Sequence, residues 1–438
     1  MTVPELLDVY LDGLLAGHLH QDGNGRVDFA YTDAYRSGAD PTPLSFAIGL
    51  GATRQKPSHV KNWFDGLLPD NAGVREQWAR EYQVSARNPL ALLRHVGRDA
   101  AGAVQVVPHD EAADDASART GDVEWLTDDD VASLLHGLRT GRDDWGREVQ
   151  HGRWSLAGAQ NKIALHRDGG RWGIPRDSTP TTHILKASTS GYDLHDVNEF
   201  ACQRAARSLG LAAATTDLLT HQQERAVVSV RYDRFRDTRT RAWLRIHQED
   251  LCQALGLAPS ARYQSDGGPG VARLGTVLQR IRGSQRREDA GRTFFDYLCF
   301  NVIIGATDVH AKNFSILHVG SASRLAPLYD VASYLPYLTR RIASDGLRTE
   351  LPRSALRIGS TYDLPSISSR DIAQCARTLA LGADEGVERF RDLAARSPSA
   401  FEQVAADLAD DDHARFVSDL ATRIESHVAG RWRDGLLH

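Results

Sequence analysis

Apolar and polar residues alternate with period two over much of the first half of the chain, and with a helical period over most of the second. Residues 8–11, 14–19 and 27–31 read as strands, separated by the turn sequences Asp12-Gly13 and Asp22-Gly23-Asn24-Gly25. The spacing predicts helices over 59–67, 72–82 and 89–95, and 102–107 returns to strand composition. Thr127 followed by Asp130 has the form of a helix N-cap, opening a helix to about residue 138. Residues 162–166, 172–174, 182–185 and 226–230 are strand-like. Over 196–209, Val197, Phe200, Ala201, Ala205 and Leu209 mark a helix that Gly210 stops. Beyond residue 248 the pattern is helical over 249–256, 271–282, 290–305, 371–381, 386–396, 398–409 and 413–431, with 314–318 extended. The expectation is an α+β protein in which a sheet-containing half precedes a helical one. Residues 109–122 are small, acidic and without apolar periodicity, and read as an exposed linker. The predicted regions are therefore 1–108, a linker 109–125, 126–248 and 249–438.

With 438 residues, 41% hydrophobic and 25% charged, the chain has the composition of a globular protein of two or three domains. Lys and Arg number 52 against 57 Asp and Glu, a net charge of −5, which argues against a surface that tracks nucleic acid throughout. No apolar run approaches the ~20 residues of a membrane span, the longest being 297–306. The N-terminus has no basic segment followed by an apolar one, so no signal peptide is expected. Cys202, Cys252, Cys299 and Cys375 form no CxxC and read as buried free thiols rather than a zinc site, which places the expectation in a reducing, cytoplasmic compartment without membrane contact. His18 and His20 fall on one strand face but have no carboxylate or thiol near them in sequence, and read as surface residues.

Three segments carry candidate chemistry. Ser155-Leu156-Ala157-Gly158-Ala159-Gln160-Asn161-Lys162 is a small-residue loop entering a strand, where main-chain N–H groups can approach phosphates; taken by itself it reads first as a plain tight turn. Lys186 ends a strand two dozen residues later, placed either to reach phosphates as a point charge or to sit in solvent. The third is Asp308-Val309-His310-Ala311-Lys312-Asn313, followed by Leu328-Tyr329-Asp330. An acid, an amide five residues on, and a second acid are what metal-assisted phosphoryl transfer uses. The run follows the apolar stretch 299–305 directly, and burying such polar groups without function is costly.

In this order, these segments resemble the HipA family of serine/threonine kinases, the toxins of HipBA-type toxin–antitoxin modules. The resemblance rests on SLAGAQNK at 155–162, THILK at 182–186, VNEF at 197–200, RYDR at 231–234, HQEDLCQALG at 247–256, SDGGPG at 265–270, FNVIIGATDVHAKNFSI at 300–316 and LYDVASYLPY at 328–337. NWFDGLLPDN at 62–71 and VGRDAAGAVQVVP at 96–108 extend it to the N-terminal region, so it spans nearly the whole chain.

It implies a protein-kinase-like two-lobe fold: a mixed N-lobe, an extra amino-terminal α/β subdomain and an all-helical C-lobe. It further implies Asp308 as catalytic base, Asn313 and Asp330 as Mg²⁺ ligands, and ATP contacts from Ala157 to Lys162, Lys186, Val230-Arg231-Tyr232, His310, Ala311, Lys312, Asn313, Tyr329, Asp330 and Val331. Ser155 matches the family's autophosphorylated serine, an expected off-switch, since about −1.5 to −2 charges would enter a loop meant to surround phosphates. Glu199 is read either as the partner of Lys186 or as a helix-surface glutamate. Val230 and Val309 depart from the family, where glutamate and glycine are common, and a β-branched Val309 disfavours unusual backbone angles. The implied partners are a small helix-turn-helix antitoxin, DNA only indirectly through it, and a protein substrate, an aminoacyl-tRNA synthetase. A small-molecule kinase, or a non-catalytic co-regulator acting through the antitoxin, are the alternatives. The SDGGPG turn is assigned no chemistry.

Overall fold

In the computed structural model, residues 5–111, 116–117, 121–140, 155–158, 160–188, 191–283, 287–338, 340–343, 346–349 and 352–432 are described. The chain divides into two compact units built from discontinuous segments: 1–187, 219–260 and 315–324 form the first, and 188–218, 261–314 and 325–438 the second. Helix His195–Ser208 thus belongs to the second unit, although it falls within the predicted 126–248 region.

The first unit opens with β1 (Glu5–Leu11), β2 (Leu14–Gln21) and β3 (Val27–Tyr31), which join β4 (Val104–Pro108) in an antiparallel sheet of order β3-β2-β1-β4. Inward-facing Leu7, Val9, Leu19 and Phe29 pack against Trp63 and Phe64 of helix Pro57–Asp65 and Leu90 and Leu93 of helix Pro89–Val96. Both helices start with proline at the first turn, where its missing N–H costs nothing, and Asn88 caps the second through Leu90 and Ala91 N–H. A second, six-stranded sheet has the order β5-β7-β6-β8-β10-β9, from β5 (Val123–Trp125), β6 (Ile163–Asp168), β7 (Arg171–Pro175), β8 (His183–Ala187), β9 (Thr216–His221) and β10 (Glu224–Val230). Val131, Leu134, Leu135 and Leu138 of helix Asp128–Thr140 cover it, and Thr127 caps that helix as its sequence predicts, accepting from Asp130 N–H at 3.2 Å. A two-stranded ribbon follows, β11 (Arg234–Arg236) and β12 (Trp243–Arg245), and then β13 (His247–Asp250), which pairs with β14 (Ser315–Val319) beside β15 (Ala322–Leu325).

The predicted linker 109–125 lies partly outside the described residues, and its two ends are not free. Val123–Trp125 forms β5 against β7, and Asp110 and Glu111 meet Arg94 and Arg98. The expected all-helical character of 249–438 also needs correction. β14 and β15, the ribbon β16 (Arg340–Ala343) with β17 (Gly346–Thr349), and β18 (Arg353–Ile358) with β19 (Thr361–Asp363) all fall in it. Residues 249–256, predicted helical, divide between the end of β13 and one turn, Leu251–Ala254, because the Asp250–Gln253 capping box starts a helix there.

The second unit is largely helical. Helix Ala383–Ala406 packs on His195–Ser208, Arg287–Ile303, Ser369–Thr378 and Asp411–Trp432. The break expected near residue 397 is absent: the helix runs through Pro398, because its buried face, from Phe390 to Val404, is continuous across that point. All four cysteines are buried free thiols, as expected. No helix among the described residues is long and apolar enough to cross a membrane.

Candidate active site

The sequence-predicted residues fall into two groups, one in each unit. In the first unit, Lys186 sits near the end of β8, opposite Val227 of β10, and is buried. The small-residue loop is held in place by main-chain and side-chain contacts to residues 67–71. Ser155 Oγ donates to Leu67 O at 2.9 Å, Asp70 N–H donates to Gly158 O at 3.0 Å, and Asn71 Nδ2 donates to Asn161 Oδ1 at 3.2 Å. Lys162 Nζ reaches back to Ala157 O at 2.8 Å, and Gln160 Nε2 donates to Ala187 O at 3.2 Å, beside Lys186. Gly158 has a φ of +116°, a conformation L side chains rarely adopt, so glycine is required at this turn. Ala159 lies outside the described residues. Ser155 is fully buried, and its N–H donates to Asp99 O at 2.9 Å.

The Val230-Arg231-Tyr232 segment ends β10. Val230 is 40% exposed, but the Arg231 guanidinium turns inward to Asp99, Asp233, Thr181 Oγ1 and Ala100 O, and Tyr232 donates to Gln248 Oε1 at 2.7 Å.

In the second unit, Asp308, His310, Lys312, Asn313, Tyr329 and Asp330 come together. Helix Arg287–Ile303 ends at Gly305 (φ +65°), where a Cβ would strike the Leu335 side chain, and Thr307 O accepts from Ala355 N–H at 2.9 Å. The chain then makes a 3₁₀ turn at Ala311–Asn313. The Asn313 amide donates to Asp308 O at 3.1 Å and to Asp330 O at 3.4 Å, so one side chain joins the two loops. Tyr329 OH donates to Lys312 O at 2.7 Å, a second tie between them. Asp330 adopts φ +56°, a conformation costly for a non-glycine residue and concentrated at functional sites. Val309 is not among the residues with positive φ and is buried, so its β-branch fits an ordinary backbone.

His310, Lys312 and Asn313 are buried as expected. Asp308 is not: its side chain is 70% accessible, open to an incoming reactant. His310 Nε2 lies 3.9 Å from Asp308 Oδ1. Burial lowers the His310 pKa, with the Asp308 and Asp330 carboxylates acting against it and Arg262 with it.

Sequence reasoning missed several residues. Tyr263 OH donates to Asp308 Oδ1 at 2.9 Å, and its ring stands edge-on to His310 at 5.0 Å. The SDGGPG turn that received no chemistry positions it: Gly268 packs so closely on Ala261 O and Tyr263 O that a Cβ would clash. Asn198, within VNEF, is buried and makes a two-way clamp on Ser333, with Nδ2 donating to Ser333 O (2.8 Å) and Oδ1 accepting from Ser333 N–H (3.0 Å). This fixes the chain three residues after Asp330. Glu199 is buried and accepts from Gln203, so it is not a helix-surface glutamate. A polar residue set among the apolar positions of a helix was the available signal for Asn198.

The HipA-like C-terminal domain family matches residues 154–424, and the HipA N-terminal domain family matches residues 7–107. The protein Y4mE of Sinorhizobium fredii is 32% identical over 411 residues, covering 94% of each chain. The serine/threonine-protein kinase toxin HipA of Shewanella oneidensis is 28% identical over 433 residues, covering 95% of this chain and 94% of its own. The solved structure of the Shewanella oneidensis toxin–antitoxin complex of HipA, HipB and operator DNA contains a chain similar to this one, with a TM-score of 0.81 and 25% identity over 97% of both chains.

Proposed function

The chain belongs to the HipA family, and from that premise we propose that it is an ATP- and Mg²⁺-dependent serine/threonine protein kinase, the toxin of a toxin–antitoxin module. The observation that carries this reading is the Asn313 amide joining Asp308 and Asp330. With both N–H groups engaged on main-chain carbonyls, Asn313 offers its Oδ1, and Asp330 its carboxylate, as hard oxygen donors of the kind magnesium takes. Magnesium, when bound, supplies charge neutralisation for the transferring phosphoryl group.

The chain's own residues do the rest. Asp308, exposed and held by Tyr263, accepts the proton of the acceptor hydroxyl. Lys186 and the loop from Ala157 through Ala159 to Lys162 bind the phosphates. The Val230-Arg231-Tyr232 main chain takes the adenine, and His310-Ala311-Lys312 with Tyr329-Asp330-Val331 line the nucleotide site. Neutral His310 adds no charge beside the reacting carboxylate.

Ser155 acts as an off-switch. Its hydroxyl is sealed against Leu67 O, where a phosphate has no room, so phosphorylation requires the loop to leave Leu67–Asn71 and prevents its return. By analogy with the Shewanella oneidensis complex, a small helix-turn-helix antitoxin is the partner, and DNA is reached through it. The substrate class is an aminoacyl-tRNA synthetase.

The test is incubation of the full chain with labelled ATP and Mg²⁺ against purified synthetases, sugars and amino alcohols. Incorporation into a synthetase, lost in Asp308→Asn, is expected. Incorporation into small molecules alone overturns the protein-kinase reading, and growth arrest that persists unchanged in Asp308→Ala overturns the toxin reading.

A further inference from the structure

In the four-stranded sheet, three side chains outside the kinase machinery converge on one point. Asp8 of β1 faces His18 directly across the β1–β2 pair, and Val107 across the β1–β4 pair. His109 follows β4 immediately, and its N–H donates to Leu6 O at 3.3 Å, which holds it beside β1. The Nδ1 atoms of both histidines lie on the same carboxylate oxygen, Asp8 Oδ1, at 2.7 Å for His18 and 2.8 Å for His109. The two rings stand perpendicular, with centroids 5.6 Å apart. The carboxylate is mostly buried, with 11% of the side chain accessible, while the imidazoles are open to solvent at 39% and 50%. Among the described residues no other three His, Cys, Asp or Glu donors come within 4.8 Å of one another.

We propose that Asp8, His18 and His109 form a binding site for a single divalent transition-metal ion of the zinc class. Two imidazole nitrogens and one carboxylate oxygen are a donor set zinc takes, with the fourth tetrahedral position left to water. The set is chemically distinct from the all-oxygen pair Asn313 and Asp330, because magnesium and calcium prefer oxygen ligands. A metal–ligand distance of about 2.0–2.2 Å places tetrahedral donor atoms roughly 3.4 Å apart. The present 2.7–2.8 Å contacts therefore need to open by little more than half an ångström as the ion replaces the shared protons. Only the two half-exposed imidazoles have to move; the carboxylate is fixed by its strand. Asp8 and His18 are directly paired across the strands, so two of the three ligands are already in place once the sheet forms. The bound ion ties β1, β2 and the end of β4 together.

In sequence, His18 and His20 fall on one strand face and read as surface residues, with no carboxylate near them. The structure pairs His18 with His109 instead, and the carboxylate comes from the neighbouring strand.

The test uses the full-length protein, stripped of metal with a chelator and titrated with Zn²⁺ by calorimetry in nucleotide- and Mg²⁺-free buffer. Co²⁺ titrated in parallel reports geometry through its visible ligand-field bands. One zinc ion per chain is expected, with tetrahedral-type Co²⁺ bands and a higher melting temperature on loading. His18→Ala and His109→Ala should each weaken binding by about tenfold or more, and His20→Ala should leave it unchanged. Circular dichroism confirms that the variants fold. The proposal is overturned if no saturable isotherm is seen, or if either His18→Ala or His109→Ala binds zinc as the parent does.

Discussion

Asp99→Asn isolates one charge at the centre of the first unit. Asp99 Oδ1 lies 2.9 Å from Arg234 Nη2 and 3.3 Å from Arg245 Nη2; Oδ2 lies 3.3 Å from Arg231 Nη1 and accepts from Thr181 Oγ1 at 2.6 Å. Asp233 completes the cluster, 2.8 Å from Arg231 and 3.0 Å from Arg234. All five side chains are buried, three guanidinia against two carboxylates. Asparagine keeps the shape and an acceptor but leaves three buried cations facing one anion. Breaking one partner out of a buried ionic group costs about 3–5 kcal/mol. For a unit of this size, 1 kcal/mol moves Tm by about 2–4 °C, so the transition of the first unit should fall by about 6–20 °C.

Scanning calorimetry of the full chain at neutral pH reads this directly. A variant melting within about 2 °C of the parent would show that the cluster is not held by its charges. The pH dependence has a definite sign. Burial alone would push the Asp99 carboxyl up, but Arg234, Arg231 and Arg245 outweigh it and hold it far below the ordinary range; the same balance lowers Asp233. The folded-state values are depressed, so the cluster's contribution is present above the unfolded carboxylate pKa of about 3.9 and is lost only as pH falls below it.

Three further outcomes follow. Tyr263→Phe removes the hydrogen bond to Asp308 Oδ1, worth about 1 kcal/mol, so kcat should fall by roughly fivefold with the fold intact; an unchanged kcat in a steady-state assay refutes a positioning role. Burial holds His247 and His183 neutral, each with its pKa lowered to about 4, so stability present above the unfolded value of about 6.5 should decline as pH falls from there towards 4. Thermal melts at a series of pH values check this, and a flat profile would contradict it. Ser155→Glu forces a carboxylate against Leu67 O and should raise the KM for ATP by tenfold or more, whereas Ser155→Ala loses one hydrogen bond of about 1 kcal/mol; equal KM values in the two variants would sink the off-switch.

The strands of the first sheet and the helices around 72–82, 89–95 and 196–209 were legible because each follows from a local period: side chains alternate along a strand and recur every three to four residues along a helix. That Asp308, Asn313 and Asp330 come together was legible for a different reason, since acid, amide and acid at that spacing form one expected set, and the Asn313 amide does join the two loops. Pro398 misled because a local rule against proline was outweighed by burial along the whole helix.

What no local pattern carries is which strand lies beside which. Alternation put Asp8 and His18 on a face of their strands, but the order β3-β2-β1-β4 brought His109 to them. In the same way only the folded chain set Asp99 among Arg231, Arg234 and Arg245, placed Tyr263 against Asp308, and buried the Ser155 hydroxyl beneath Leu67. Those partners lie 45 to 146 residues apart. Their meeting depends on sheet order, register and the closing of long loops, which are decided by packing the whole chain rather than by any segment of it.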